Sequence, residues 1–250
     1  MTSGLSPFRI GPVEVGGPEG IFLIAGPCVL ENERRTLVIA ERAAAAARLH
    51  GVGFVFKSSF DKANRSSIQN YRGPGLEVGL SWLARAKEEL HVPVLVDVHE
   101  VSQVGPAAEV ADCLQIPAFL CRQTDILVAA ARSGRAVNIK KGQFMAPWDM
   151  ENAVDKVRDS GCERVLVTER GFSFGYNNLV VDFRSLPILS RVAHVVFDGT
   201  HSVQLPGGQG KASGGNREMV EPLVRAAVAV GCSGLFLEVH DDPDHSPSDG

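Results

Sequence analysis

The stretch FKSSFDKANRSS, Phe56 to Ser67, sets three cations and four hydroxyls directly after an apolar run. Lys57, Lys62 and Arg65 offer two point charges and a guanidinium fork, and Ser58, Ser59, Ser66 and Ser67 add hydroxyl donors. A phosphate or carboxylate needs such a set, although an ordinary solvated loop has the same composition. More cations close other apolar runs: Lys140 and Lys141 in NIKKG, and Arg170 in TERG. A second set is softer. Cys28, His201, Glu238 and Asp249 combine thiol, imidazole and carboxylate, which suits a divalent transition metal such as Zn, Fe, Mn or Co. No local C-x-x-C or H-x-x-x-H joins them, so on spacing alone a buried thiol packed as a small hydrophobe is the simpler reading of Cys28. Cys113, Cys121, Cys162 and Cys232 lie in apolar runs and read as core.

The elements that must position these residues alternate. Short β-branched runs (IFLIAGP, GFVFKSS, VPVLVDVH, CLQIP, AVNIKKG, RVLVTERG, HVVFDGTH and GLFLEVH) read as eight buried parallel strands. Helical patterns fall between them at Glu33 to His50, Leu76 to Leu90, near Val101 to Ala108, Thr124 to Arg132, Asp149 to Ser160 and Asn216 to Val230. This arithmetic predicts an α/β protein, a single (β/α)8 TIM barrel over residues 1–250. RIGPVEVGG, before Gly20, predicts a short N-terminal β-hairpin closing the barrel bottom. The pattern calls for an eighth helix after GLFLEVH, so the sequence is expected to stop short of the natural C-terminus.

Chemistry in such a barrel sits at the C-terminal mouth. Reading the strand ends in turn gives Cys28, Lys57, then Asp97 with His99, Gln115 with Arg122 beyond it, Lys140 with Lys141, Glu169 with Arg170, Asp198 with His201, and Glu238 with His240. Every strand delivers a polar or reactive residue to one end, which predicts one convergent site. ASGGNRE, Ala212 to Glu218, reads as a loop opening a helix, with exposed N–H groups available to an anion. GPGLEVGL matches neither a Walker loop nor G-x-G-x-x-G, and no G-x-S-x-G is present.

The formal net charge of −4 excludes bulk attraction to nucleic acid or an anionic membrane surface, so any anion site must be local. No apolar stretch reaches the roughly 20 residues of a membrane span. The N-terminus lacks the pattern of a signal peptide, and the five cysteines are odd in number and scattered. A cytoplasmic location is the expectation.

The runs KSSFDKANRSS, IAGPCVLEN, LQIPAFLCRQTD, NIKKGQF, ERGFSFGYNNLVVD, FDGTHSVQ, ASGGNRE and EVHDDPDHSPSDG occur in an order that resembles the 3-deoxy-D-manno-octulosonate 8-phosphate (Kdo8P) synthase family, over about Ile21 to Gly250. The resemblance implies a transferase that condenses phosphoenolpyruvate with D-arabinose 5-phosphate for lipopolysaccharide synthesis. It implies phosphoenolpyruvate held by Lys57, Ser59, Lys62, Gln115, Lys140 and Arg170. It places the sugar along Asn64, Arg65 and Ser66, with the sugar phosphate on Arg65 and Ser66. It makes Lys62 a candidate proton donor, and Lys140, Arg170, His201 and Asp97 further members of the catalytic set. Cys in GPC, where metal-free members carry Asn, implies a divalent metal on Cys28, His201, Glu238 and Asp249. A homotetramer is also implied. KANRS, in place of a Pro-containing loop, argues against the related heptulosonate 7-phosphate synthases, which use erythrose 4-phosphate. A Schiff-base aldolase using Lys57 or Lys140 and a non-catalytic sugar-phosphate sensor are the rival readings.

Overall fold

Along each central run the side chains alternate, one facing the barrel axis and the next the surrounding helices. The computed structural model describes residues 4–18, 20–173, 175–209 and 212–248. In chain order it contains β1 (Phe8–Ile10), β2 (Val13–Val15), β3 (Phe22–Gly26), α1 (Glu33–Leu49), β4 (Gly53–Ser58), α2 (Leu76–Leu90), β5 (Val94–Asp97) and α3 (Val101–Val110). Then come β6 (Cys113–Ile116), α4 (Thr124–Arg132), β7 (Ala136–Lys140), α5 (Glu151–Arg158), β8 (Val165–Glu169), β9 (Phe172–Ser173) and β10 (Leu179–Val180). The last are α6 (Ser185–Leu189), β11 (His194–Asp198), β12 (Gln204–Gln209), β13 (Ala212–Gly215), α7 (Val220–Val230) and β14 (Gly234–Glu238).

The eight expected strands close a parallel barrel in the order β3, β4, β5, β6, β7, β8, β11, β14 and back to β3. The β1–β2 hairpin forms as expected. Its Ile10, Val13 and Val15 pack into the lower barrel interior with Phe22, Ile24 and Val55. Outward residues such as Val137, Ile139, Val165 and Val167 join the helices in a second cluster. Helix α1 begins where Asn32 accepts the Arg35 N–H at 2.9 Å, and its alanine-rich body packs Ala40, Ala44 and Ala47 inward.

Several elements differ from the sequence reading. The helix expected from Asp149 starts with a 3₁₀ turn at Pro147–Met150 and becomes α-helical only at Glu151. The helix expected from Asn216 likewise follows a 3₁₀ turn, Arg217–Met219. ASGG does not open that helix: Ala212–Gly215 is β13, paired antiparallel with β12. The short hairpin β9–β10 and the helix α6 had no expectation at all. Their segments are too brief, or too rich in glycine and proline, for a periodic signal. Among the described residues no helix is long and apolar enough to cross a membrane.

The inward positions change character at one height. Val55, Leu95, Cys113, Ala136, Leu166, Val196 and Phe236 lie in the apolar interior. Two residues further along the same strands stand Lys57, Asp97, Gln115, Asn138, Thr168, Asp198 and Glu238, all buried. On β3 the residue two beyond Ile24 is Gly26, where a Cβ would meet the Lys57 carbonyl oxygen at 1.9 Å. That glycine lets β3 approach β4 at the height of the polar layer. Gly26→Ala is expected to destabilise the fold by about 3 kcal/mol, because backbone on the facing strand must shift. Urea unfolding checks this, and a loss under about 1 kcal/mol would show that the approach is not constrained.

Candidate active site

Strand register builds the polar layer. Asp97 pairs with Gln115 and Gln115 with Asn138, so their inward side chains meet, and Thr168, two residues beyond the Leu166 that pairs with Asn138, reaches Asn138 on the diagonal. Thr168 Oγ1 donates to Asn138 Oδ1 at 2.8 Å, and Asn138 Nδ2 donates to Gln115 Oε1 at 2.8 Å. Gln115 Nε2 donates to Asp97 Oδ1 at 2.6 Å, and the Ser59 hydroxyl donates to Asp97 Oδ2. Lys57 Nζ bridges Asp97 Oδ2 at 3.3 Å and Glu238 Oε1 at 3.2 Å. Glu238 Oε1 lies 3.4 Å from His201 Nε2, while His201 Nδ1 and Lys140 Nζ each lie 2.7 Å from Asp198 Oδ2. Asp198 Oδ1 also accepts the His201 backbone N–H at 2.8 Å. Nδ1 is the His201 ring nitrogen nearer a carboxylate, and it donates to Asp198. Lys140 Nζ and His201 Nδ1, 3.1 Å apart, then both donate to Asp198 rather than to each other.

Burial opposes the charges of Lys57, Asp97, Lys140 and Asp198, and pairing decides the direction in which each pKa moves. Burial works against the Asp97 carboxylate, yet Lys57, His99 and Lys62 hold its pKa below the ordinary range. Burial likewise opposes Asp198, and His201 and Lys140 overcome it in the same direction. For Lys57, burial is outweighed by Asp97 and Glu238, and the pKa is raised. For Lys140, burial outweighs Asp198 and the pKa falls, with Lys57 adding to the fall. The Lys140 ammonium stands 3.9 Å from the centre of the Phe236 ring, whose face supports the charge.

Above the layer lies a cavity of about 440 Å³, a size suited to small ligands. Lys57, Lys62, Arg65, Lys140 and Arg170 line it, together with Asp97, Glu100 and Glu238. Ser59, Asn64, Ser66, Gln115 and His201 also face it, so the residues expected to hold substrate share one pocket. Arg170 is held as a fork: Nη1 donates to Gln143 Oε1 at 3.1 Å and Nη2 to Gln204 Oε1 at 2.9 Å. Arg65 donates from Nε to the Tyr71 carbonyl at 2.9 Å and from Nη2 to the Pro247 carbonyl at 3.2 Å, clipping its loop to the segment after β14. The β12–β13 hairpin supplies Gln204, Leu205, Pro206 and Gly214 to the cavity wall.

Not every strand-end residue converges. Lys141 and Glu169 pair with each other at 3.5 Å, and Lys141 sits 3.6 Å from the centre of the Phe172 ring. Each directly follows or precedes an inward cation, so strand alternation turns it away from the axis. His240 binds Glu31 at 2.6 Å, and Arg122 is exposed. Asn138 and Thr168 had no place in the sequence expectation. Their signal was a polar residue two positions before Lys140 and two before Arg170, on the same inward face.

Of the four expected metal ligands, His201 and Glu238 meet in the cavity wall. Cys28 is buried, its Sγ 3.2 Å from the hydroxyl of Ser248, which lines the cavity. Asp249 lies outside the described residues. Among the described residues, no group of three or more His, Cys, Asp and Glu side chains is gathered closely enough to hold a metal ion. The chemistry of the donors nevertheless suits a borderline divalent cation: with Nδ1 held by Asp198, His201 keeps Nε2 turned toward Glu238, as metal-binding histidines do.

The DAHP synthetase I family model matches residues 7–250. The chain is 62% identical over 242 residues to the 2-dehydro-3-deoxyphosphooctonate aldolase of Geobacter metallireducens, covering 96% of this chain and 89% of that protein. It is 59% identical over 237 residues to the protein of the same name in Desulfotalea psychrophila, covering 94% of this chain and 85% of that one. Against the protein of that name in Trichlorobacter lovleyi it is 59% identical over 251 residues, covering 100% of this chain and 91% of the relative.

The depressed carboxylates set an acid limit. Asp97 and Asp198 both have folded pKa values below their unfolded ones. Their contribution to stability is therefore complete above the unfolded value of about 4 and is lost as pH falls below it, toward the folded values. Asp198→Asn is expected to cost about 3 kcal/mol at neutral pH and to flatten the loss of stability below about pH 4. Urea midpoints measured across that range test this, and a variant curve parallel to the wild type would contradict it.

Proposed function

The chain belongs to the DAHP synthetase I family, and within it we propose that it condenses phosphoenolpyruvate with D-arabinose 5-phosphate and water, giving Kdo8P and inorganic phosphate. The observation that carries this is near-full-length identity to proteins named 2-dehydro-3-deoxyphosphooctonate aldolase. The cavity fits the chemistry. Two phosphates and a carboxylate must sit together, and five cations from three chain segments face one space.

C3 of phosphoenolpyruvate attacks the sugar aldehyde carbon while water adds at C2. The resulting hemiketal phosphate then releases inorganic phosphate by C–O cleavage. Lys140 and Arg170 steady the carboxylate and phosphate charge, and Lys62 donates a proton to the aldehyde oxygen. Ser59 and Lys57 act from the floor, where both contact Asp97. Asn64, Arg65 and Ser66 hold the sugar from the rim, with its phosphate on Arg65 and Ser66, and Asp97 orients the sugar. The chain contributes chiefly positioning and preorganised charge.

The same proposal assigns a divalent cation to Cys28, His201, Glu238 and Asp249. When bound, it would supply Lewis acidity toward the aldehyde or a water. A homotetramer also belongs to it, and the exposed Ile68 and Phe119 near the mouth offer apolar surface to a neighbouring copy.

Phosphate release from phosphoenolpyruvate should depend on arabinose 5-phosphate and be at least about tenfold weaker with erythrose 4-phosphate. The reverse preference would assign the chain to heptulosonate synthesis. Borohydride with both substrates should leave Lys57 and Lys140 unlabelled; a trapped lysine would mean a Schiff-base aldolase.

Dipicolinate treatment should remove bound metal and activity together, and individual divalent ions should restore activity. Cys28→Asn should lower metal content per chain by elemental analysis while keeping partial activity. Full activity in the stripped protein would remove the metal assignment and leave the synthase assignment standing.

A further inference from the structure

The Thr168–Asn138–Gln115–Asp97 chain has a direction, and one charge sets it. Asp97 is buried and paired with Lys57, so it is a carboxylate and can only accept hydrogen bonds. Gln115 must therefore turn its NH₂ toward Asp97, which leaves its carbonyl oxygen facing Asn138. Asn138 must answer with its own NH₂, which leaves its oxygen facing Thr168. There the Thr168 hydroxyl closes the chain by donating. Asn138 and Thr168 are fully buried and Gln115 nearly so, so reversing either amide would set oxygen against oxygen without water to relieve it.

Gln115 lines the cavity, and its NH₂ carries a second N–H beyond the one given to Asp97. An amide fixed this way offers a donor to an anionic oxygen; the reversed amide would offer a carbonyl and repel it. We infer that Asn138 and Thr168 are positioning residues that hold Gln115, turned by Asp97, in place as a hydrogen-bond donor to phosphoenolpyruvate. The inference rests on the proposed function, because it needs phosphoenolpyruvate against Gln115. Neither residue faces the cavity itself: Thr168 acts through Asn138, and Asn138 through Gln115.

The test is a double-mutant cycle on steady-state kinetics, run beside the wild type. Thr168→Val keeps the shape and removes the donor, so the buried Asn138 oxygen loses its partner and Asn138 holds Gln115 less firmly. It should lower kcat/KM for phosphoenolpyruvate about tenfold, and Thr168→Ser should restore most of the loss. In a Gln115→Ala background, Thr168→Val should add almost nothing, because its effect passes through Gln115. If the valine variant does not fold, Thr168→Ala removes the same donor without placing a methyl against Asn138, and the cycle is run with it. An active wild type whose Thr168 variants are unchanged, or whose Thr168 and Gln115 losses multiply independently, overturns this inference alone. A wild type without synthase activity overturns the proposed function, and with it the role of Gln115.

Discussion

Seven charged or amide-bearing and hydroxyl side chains stand at one height inside a barrel that is apolar just below them. That placement is the constraint on which the rest of the structure depends. A buried charge is tolerated only when neighbouring groups answer it, and here groups from several strands answer one another. Lys57 answers Asp97 and Glu238, Asp198 answers Lys140 and His201, and the amides of Gln115 and Asn138 carry the network from Asp97 to Thr168. Because strand register sets these contacts, the members cannot be moved singly. Shifting one strand by a residue would bury Val96 or Ile139 among the charges and push the polar residues toward the helices.

The layer also explains how cations can be packed close enough to hold two phosphorylated reactants. Lys57 and Lys140 are both near the Phe236 ring, at 5.4 Å and 3.9 Å from its centre. Their mutual repulsion is offset from beneath by Asp97, Glu238 and Asp198, while their upper faces remain on the cavity. Lys140 is the less fully compensated of the two, with a lowered pKa against the raised one of Lys57. An arriving carboxylate or phosphate would supply the missing counter-charge. Arg170, Lys62 and Arg65 stand on segments that also form the rim, and Arg170 depends on Gln143 from the loop after β7 and on Gln204 at the start of β12.

Much of this was legible in the sequence, and the reasons differ by element. The strands were clear because eight short β-branched runs recur with helical patterns between most of them. The helices over Leu76–Leu90 and Thr124–Arg132 match the reading at both ends. The β12–β13 hairpin was not visible, since LPGG and ASGG carry no alternation to read. At the site, residue type pointed to Lys57, Lys140 and Arg170, whose charges stand out against apolar strands. Lys141 and Glu169 stand out equally, and only alternation separates them from the true lining residues. Asn138 and Thr168 are modest polar residues whose importance lies in what they touch across the sheet, and single-sequence reading carries no register.

The proposed condensation requires an enol phosphate and a sugar phosphate to bind together above the polar layer, on cations that the layer holds in place. A crystal structure of the protein with phosphoenolpyruvate and arabinose 5-phosphate measures this directly. Phosphoenolpyruvate should lie with its anionic groups on Lys140 and Arg170 and an oxygen on the Gln115 amide nitrogen, with the sugar phosphate at Arg65. Either reactant bound away from the barrel mouth, or a Gln115 amide presenting its oxygen to the ligand, would contradict the account.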